Sequence, residues 1–125
     1  MTALAVALGA ALGAPARYLL DQAVRARHDG PFPWGTLLVN LLGSLLAGGV
    51  AAAVAAGGVL DPVLATGLTV GFCGALTTFS TVSWETLRLA ETGRWGRAAV
   101  NAGANLAGTV GAAALGWLAA RSLLG

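Results

Sequence analysis

Four long stretches of the chain carry no charged side chain: Met1 to Ala16, Pro31 to Leu60, Pro62 to Trp84 and Ala98 to Ala120. The last three reach the roughly 20 residues that cross about 30 Å of hydrocarbon at ~1.5 Å per residue. The first reaches that length once Arg17 to Leu20 are counted with it. The pattern predicts four transmembrane helices, over approximately residues 2–20, 35–57, 62–86 and 98–120, in one domain spanning 1–125. The connections "DQAVRARHDGPFPW", "GGVLD" and "RLAETGRWGR" are short and contain turn or breaker residues, so neighbouring helices run antiparallel. Trp34, Trp84, Trp95 and Trp117 fall near the predicted ends, where an amphipathic ring suits the headgroup level. The opening "MTALAVALGAALGAPARY" has no Lys or Arg ahead of its apolar stretch, so it reads as a retained first span and not as a secretory signal.

Composition agrees with an all-α membrane protein. Hydrophobic residues make up 57% and charged residues 10%, where a soluble domain carries about a quarter charged. The net charge of +2 comes from scattered arginines with no lysine, which is no nucleic-acid surface and excludes a P-loop. Cys73 stands alone, so neither an internal disulfide nor a multi-cysteine metal site is available. Nineteen glycines need a packing reason, because lipid tails provide no hydrophobic drive between helices and close backbone approach must do that work. Gly9 with Gly13, Gly67 with Gly71, and Ala107 with Gly111 have the spacing for it.

Polar residues inside the spans are not scattered. Thr36, Asn40 and Ser44 recur every four residues and line one helical face, as do Asn101, Asn105 and Thr109. Hydroxyls also crowd the run from Thr77 to Ser83. Hydrogen bonding between helices explains any one of them, but together they exceed what adhesion requires and favour a lined pathway. Gly71 and Gly74 lower helix propensity where the hydroxyl run begins. Two readings follow: a broken third helix whose freed backbone groups face a cavity or ion, or a straight one whose hydroxyls bond back four residues.

Catalysis has little to work with, and the chain is not expected to be an enzyme. No acid, base or His lies deep in a span, and His28 falls in a loop. Glu85 and Glu91 sit at or beyond the end of the third span with Arg88 one turn from each, which reads as surface pairing. Proton-coupled transport is disfavoured, since no embedded carboxylate is there to carry the proton.

The segments "GAPARY" (Gly13 to Tyr18), "GTLLVNLLGSLLAG" (Gly35 to Gly48) and "GFCGALTTFSTVSWE" (Gly71 to Glu85) resemble, in order and spacing, the signature segments of the Fluc (CrcB) family of fluoride channels. The resemblance covers essentially the whole chain. It implies a third helix broken near its middle and an antiparallel, dual-topology dimer with two fluoride pores and a structural sodium ion on its axis. The sodium ligands map to the backbone carbonyls of Gly74 and Thr77. Phe79 maps to the family's aromatic box, Ser80 and Thr81 to its hydroxyl track, Thr36 and Asn40 to donors on the second helix, and Arg17 to a vestibule arginine; Asn105, from the fourth span's polar stripe, is a further candidate for the pathway. The implied physiology is passive exit of cytoplasmic fluoride through the plasma membrane.

Two departures from the family's pattern cover three positions. Val82 stands where a second box Phe would fall, and Asn101 and Asn105 stand where a Tyr and a Ser are frequent. Arginines add a third consideration: Arg25, Arg27, Arg88, Arg94 and Arg97 share one side of the membrane and Arg121 lies on the other. Positive residues favour the cytoplasm, so both termini are expected outside, and this bias opposes the equal two-way insertion that a homodimer needs. The expected partner is therefore a second copy or, preferentially, a homologous chain of opposite bias, within lipid and without nucleic acid. The alternatives are a small four-helix multidrug antiporter, which should show a Glu in its first span, and a non-conducting subunit of a heterodimeric channel.

Overall fold

The structure is a computed structural model describing residues 1–125. Helix α1 runs over Thr2–Arg25 and α2 over Trp34–Ala55. The third span is composite: α3 (Pro62–Thr66), a π-helical stretch (Gly67–Cys73), α4 (Gly74–Leu76), then two extended residues before α5 (Phe79–Glu91). Helix α6 (Trp95–Leu124) closes the bundle. Four spans result, each long and apolar enough to cross a membrane.

Local chemistry sets the corners. After α2 the chain reverses through Gly57 and Gly58, whose φ values of 74° and 71° lie where a side chain is penalised. Asp61 then starts α3, its Oδ1 accepting from the backbone N–H of Val63 (2.9 Å) and Leu64 (3.1 Å), with Pro62 at the first helical position. Gly93, at φ 77°, ends α5, and the Arg94 N–H reaches back to the Leu89 carbonyl at 2.8 Å.

Helix ends pass the predicted span limits. α1 continues from Leu20 to Arg25, carried by an Asp21–Arg25 pair at 2.8 Å one turn apart. The third span reaches Glu91, and α6 covers Trp95–Leu124 where 98–120 was expected. Apolar windows measure the hydrocarbon; helical hydrogen bonding does not stop at the first charge. The second span is close to expectation, 34–55 against 35–57.

Two close approaches organise the packing. α1 lies against the π-helical stretch, where a Cβ on Gly9 would strike the Gly67 carbonyl and one on Gly13 the Phe72 carbonyl. Gly71 meets the Val6 backbone in return. The α2–α6 interface is the most extensive, and there Gly48 abuts the Ala113 carbonyl and Gly116 that of Leu45. The Gly9/Gly13 and Gly67/Gly71 pairs thus face one another, whereas Gly111 of the third pair meets nothing within 4 Å. Leu8, Leu12, Leu106, Val110 and Leu115 are exposed on the outer surface, as lipid or a partner chain would require.

Candidate ion pathway

The break lies at Thr77 and Thr78, three residues beyond Gly74. Gly71 and Gly74 themselves remain helical, so glycine propensity does not locate it. Thr77 has ψ 161°, and Thr78 has φ −154° and ψ 127°; both are extended. A side chain holds them there. The Thr78 N–H, which in a continuous helix would bond the Gly74 carbonyl, donates instead to Asn40 Oδ1 at 2.7 Å, and Asn40 Nδ2 donates to the Thr78 carbonyl at 3.1 Å. The carboxamide thus stands in for a neighbouring strand. On the near side, the Thr77 N–H and hydroxyl both donate to the Cys73 carbonyl at 2.9 Å, closing α4. On the far side, Thr78 Oγ1 caps α5, accepting from the Thr81 N–H at 3.3 Å and donating to Thr81 Oγ1 at 3.0 Å. Gly43 lets α2 come this close, since a Cβ there would collide with the Thr77 methyl.

Asn40 is one link in a longer chain. Its Nδ2 also donates to Asn105 Oδ1 at 2.9 Å, and Asn105 Nδ2 donates to the Asn101 carbonyl (2.9 Å) and Oδ1 (3.1 Å). Asn101 Nδ2 in turn donates to Thr86 Oγ1 at 2.9 Å. Asn40, Asn101 and Asn105 are all buried, Asn101 completely. The two polar stripes therefore meet across the α2–α6 interface. One turn earlier on α2, Thr36 donates to Glu85 Oε1 at 2.8 Å, and Glu85 Oε2 is buried with no partner.

A cavity of about 500 Å³ lies beside the break, lined by Thr77, Thr78, Phe79, Ser83, Thr86 and Asn105 among others. No charged side chain lines it. It opens where Phe79 is 86% exposed, and Ser80 is exposed beside that ring. Arg17 is the nearest cation in the bonding pattern, with Nη1 donating to the Thr77 carbonyl at 3.2 Å; the guanidinium lies at the break itself and not at a distant mouth.

The structure thus brings Arg17, Asn40, Asn105, Phe79, Ser80 and Thr81 to one region, whereas Thr36 is turned to Glu85. Proton bookkeeping separates them further. Thr36 and both amide protons of Asn40 and of Asn105 are committed inside the protein, so each gives a proton to an ion only by releasing a bond. Thr81 Oγ1 accepts from Thr78, so its own proton is free. Two residues were read differently from sequence. Glu85 is 8% exposed and bonded to Thr36, while Arg88 pairs with Glu91 alone, at 3.7 Å. Thr86 was not singled out, because its partner Asn101 belongs to another helix.

The donor set at the break suits a hard cation in one respect. With the Thr78 N–H diverted to Asn40, the Gly74 carbonyl has no partner four residues on, and a neutral oxygen of this kind ligates small cations. The Thr77 carbonyl already receives Arg17, leaving its second lone pair.

Comparison with known proteins gives the same answer over nearly the whole length. The sequence pattern of the family described as CrcB-like protein, Camphor Resistance (CrcB) matches residues 4–117. A protein of Frankia casuarinae named fluoride-specific ion channel FluC 1 is 50% identical, with 100% of each chain covered. One of the same name from Streptomyces avermitilis is 51% identical over 95% of this chain and 96% of its own, and a FluC of Geobacter sulfurreducens is 43% identical over 98% of both. With four spans, a third helix opened by Asn40, and a family match that runs from the first span into the last, the chain belongs to the CrcB family.

Proposed function

We propose that this chain is a passive, fluoride-selective channel rather than an enzyme, with its pathway along α5 from the break. The observation that carries the reading is an uncharged cavity at mid-span flanked by hydroxyls and one aromatic edge. Fluoride is small and strongly hydrated, so leaving water requires several hydrogen-bond donors; a buried cation would hold it too tightly to release. Thr81 offers a free hydroxyl proton and Ser80 one that it gives to Thr78 Oγ1 only at 3.4 Å, and the electropositive edge of Phe79 faces the ion without binding it strongly. Arg17 draws anions toward the break. Asn40, Asn105 and Thr36 act chiefly as the frame that holds this wall in place.

One chain leaves Phe79 open, so a second chain is needed to close the pathway, in an antiparallel dimer of this chain with itself or a homologue. Sodium bound by the Gly74 and Thr77 carbonyls of both chains would cross-link the two breaks. The dimer belongs in the plasma membrane, with the termini of this chain outside by the arginine count. The pairing is specific to this sequence: Val82, where the family's second Phe would stand, is buried within its own chain, so a second aromatic edge has to come from a partner.

The test is efflux from liposomes read with fluoride and chloride electrodes, with this chain alone and with a homologue of opposite arginine bias. Fluoride release without chloride or proton movement is expected. Proton-driven transport would favour the antiporter alternative, and silence in both pairings would reject the channel.

A further inference from the structure

We infer that the Thr86 hydroxyl is a further anion donor of this pathway, and that Asn40, Asn105 and Asn101 hold its proton toward the cavity. The inference rests on the channel reading above and deepens it.

The argument starts from backbone groups, whose donor and acceptor roles are not interchangeable. The Thr78 N–H can only donate, so the Asn40 atom facing it at 2.7 Å is its oxygen. The Asn40 nitrogen must then face both the Thr78 carbonyl and Asn105, which obliges Asn105 to present oxygen. Asn105 accordingly turns its nitrogen to the Asn101 carbonyl, an acceptor only, and to Asn101 Oδ1. That leaves the Asn101 nitrogen facing Thr86 Oγ1 at 2.9 Å. Backbone groups at Thr78 and Asn101 therefore fix every carboxamide in one sense, donor to acceptor, from the break to Thr86.

Thr86 ends the chain as an acceptor, and its own proton goes to no side-chain or backbone oxygen. Two hydroxyls of the same cavity behave otherwise: those of Ser83 and Thr109 donate to carbonyls four residues earlier, at Phe79 and Asn105. The half-buried Thr86 side chain lines the same uncharged cavity as Phe79. Hydrogen bonds aligned head to tail polarise one another, so the terminal O–H is a stronger donor than an isolated threonine. An anion that enters this cavity past Phe79 would meet the donor two turns along α5, on the same helical face, and the supporting bonds need not break.

The experiment is fluoride efflux in the pairing that conducts, after gel filtration confirms intact protein. Thr86→Val keeps the shape and removes the proton; efflux should fall roughly tenfold, the scale of one hydrogen bond to a charged group. Thr86→Ser should recover most of it, and Thr86→Ala replaces the Val variant if that one does not fold. Asn101→Ala should slow efflux when Thr86 is present and add nothing on the Thr86→Val background, a coupling that a merely structural role would not produce. Unchanged efflux in Thr86→Val, a Ser variant as slow as Val, or equal Asn101→Ala losses in both backgrounds would overturn the inference. A wild-type protein that passes no fluoride removes the channel reading and this inference with it.

Discussion

Along the seam between α1 and the π-helical stretch, backbones touch because nothing projects: Gly9 and Gly13 face Gly67 and Phe72, and Gly71 faces Val6. Along the seam between α2, α5 and α6, side chains fill the space and they are polar, with Thr36, Asn40, Glu85, Asn101 and Asn105 all buried. Both solve the same problem, since lipid gives helices no hydrophobic reason to associate. The glycine seam relies on contact at van der Waals range and has no adjustable part. The polar seam relies on donors and acceptors that satisfy one another except at the buried Glu85 Oε2 and at its edge, where Phe79 is exposed and the Thr81 and Thr86 protons remain available. A rigid seam can hold a bundle; only the second kind can also exchange bonds with a passing ion.

The largest effect is expected from attacking the rigid seam. Gly9→Val or Gly13→Val places side-chain atoms against backbone carbonyls that have no rotamer with which to yield, so the overpacking cost exceeds the usual ~1–3 kcal/mol. Loss of a monodisperse gel-filtration peak is the expected result, and normal elution would show that the two helices separate more easily than their contact suggests.

Asn40→Leu comes next. It strands the N–H and C=O of Thr78, at about 1–3 kcal/mol for each buried group left unpaired. The protein should still be recoverable with lowered thermal stability, and fluoride efflux should drop by more than tenfold as the break relaxes. Efflux at the wild-type rate would mean that the extended residues hold themselves.

Phe79→Ile should lower efflux several-fold, on the ~0.5–1.5 kcal/mol scale of an aromatic contact, while elution and stability stay as they were, because the ring is almost wholly exposed in its own chain. Unaltered flux would remove Phe79 from the pathway.

The smallest effects separate the chain from its assembly. A Cβ on Gly74 would meet only the Thr69 carbonyl at 3.7 Å, and one on Gly103 or Gly111 nothing within 4 Å. Within the chain, Gly→Ala at these sites should be neutral or stabilising by up to ~1 kcal/mol. Thermal melts should therefore show no loss for Gly103→Ala. If Gly74→Ala alone weakens the dimer, or makes its melting insensitive to replacing sodium with a bulky organic cation, the partner and the ion lie at Gly74.

The number of spans, their order and the polar stripes were all legible in the sequence, because charge-free length and four-residue spacing are properties of one helix at a time. The chain's affinity to the CrcB family was legible for the same reason, its segments being local. The third helix was open between straight and broken, and what decided it is Asn40, a residue 38 positions from Thr78 that supplies the bonds the helix gives up. Glycine content pointed to Gly71 and Gly74, whereas both positions stay helical; Gly71 serves close packing against Val6, and Gly74 meets only the Thr69 carbonyl at 3.7 Å. Glu85 looked like a surface acid beside Arg88, and only the docking of α2 gives it Thr36 and takes it out of solvent. Periodicity and charge state what each helix is. Which hydroxyl keeps its proton, and where a helix stops, depend on partners contributed by other helices, and no local pattern encodes those.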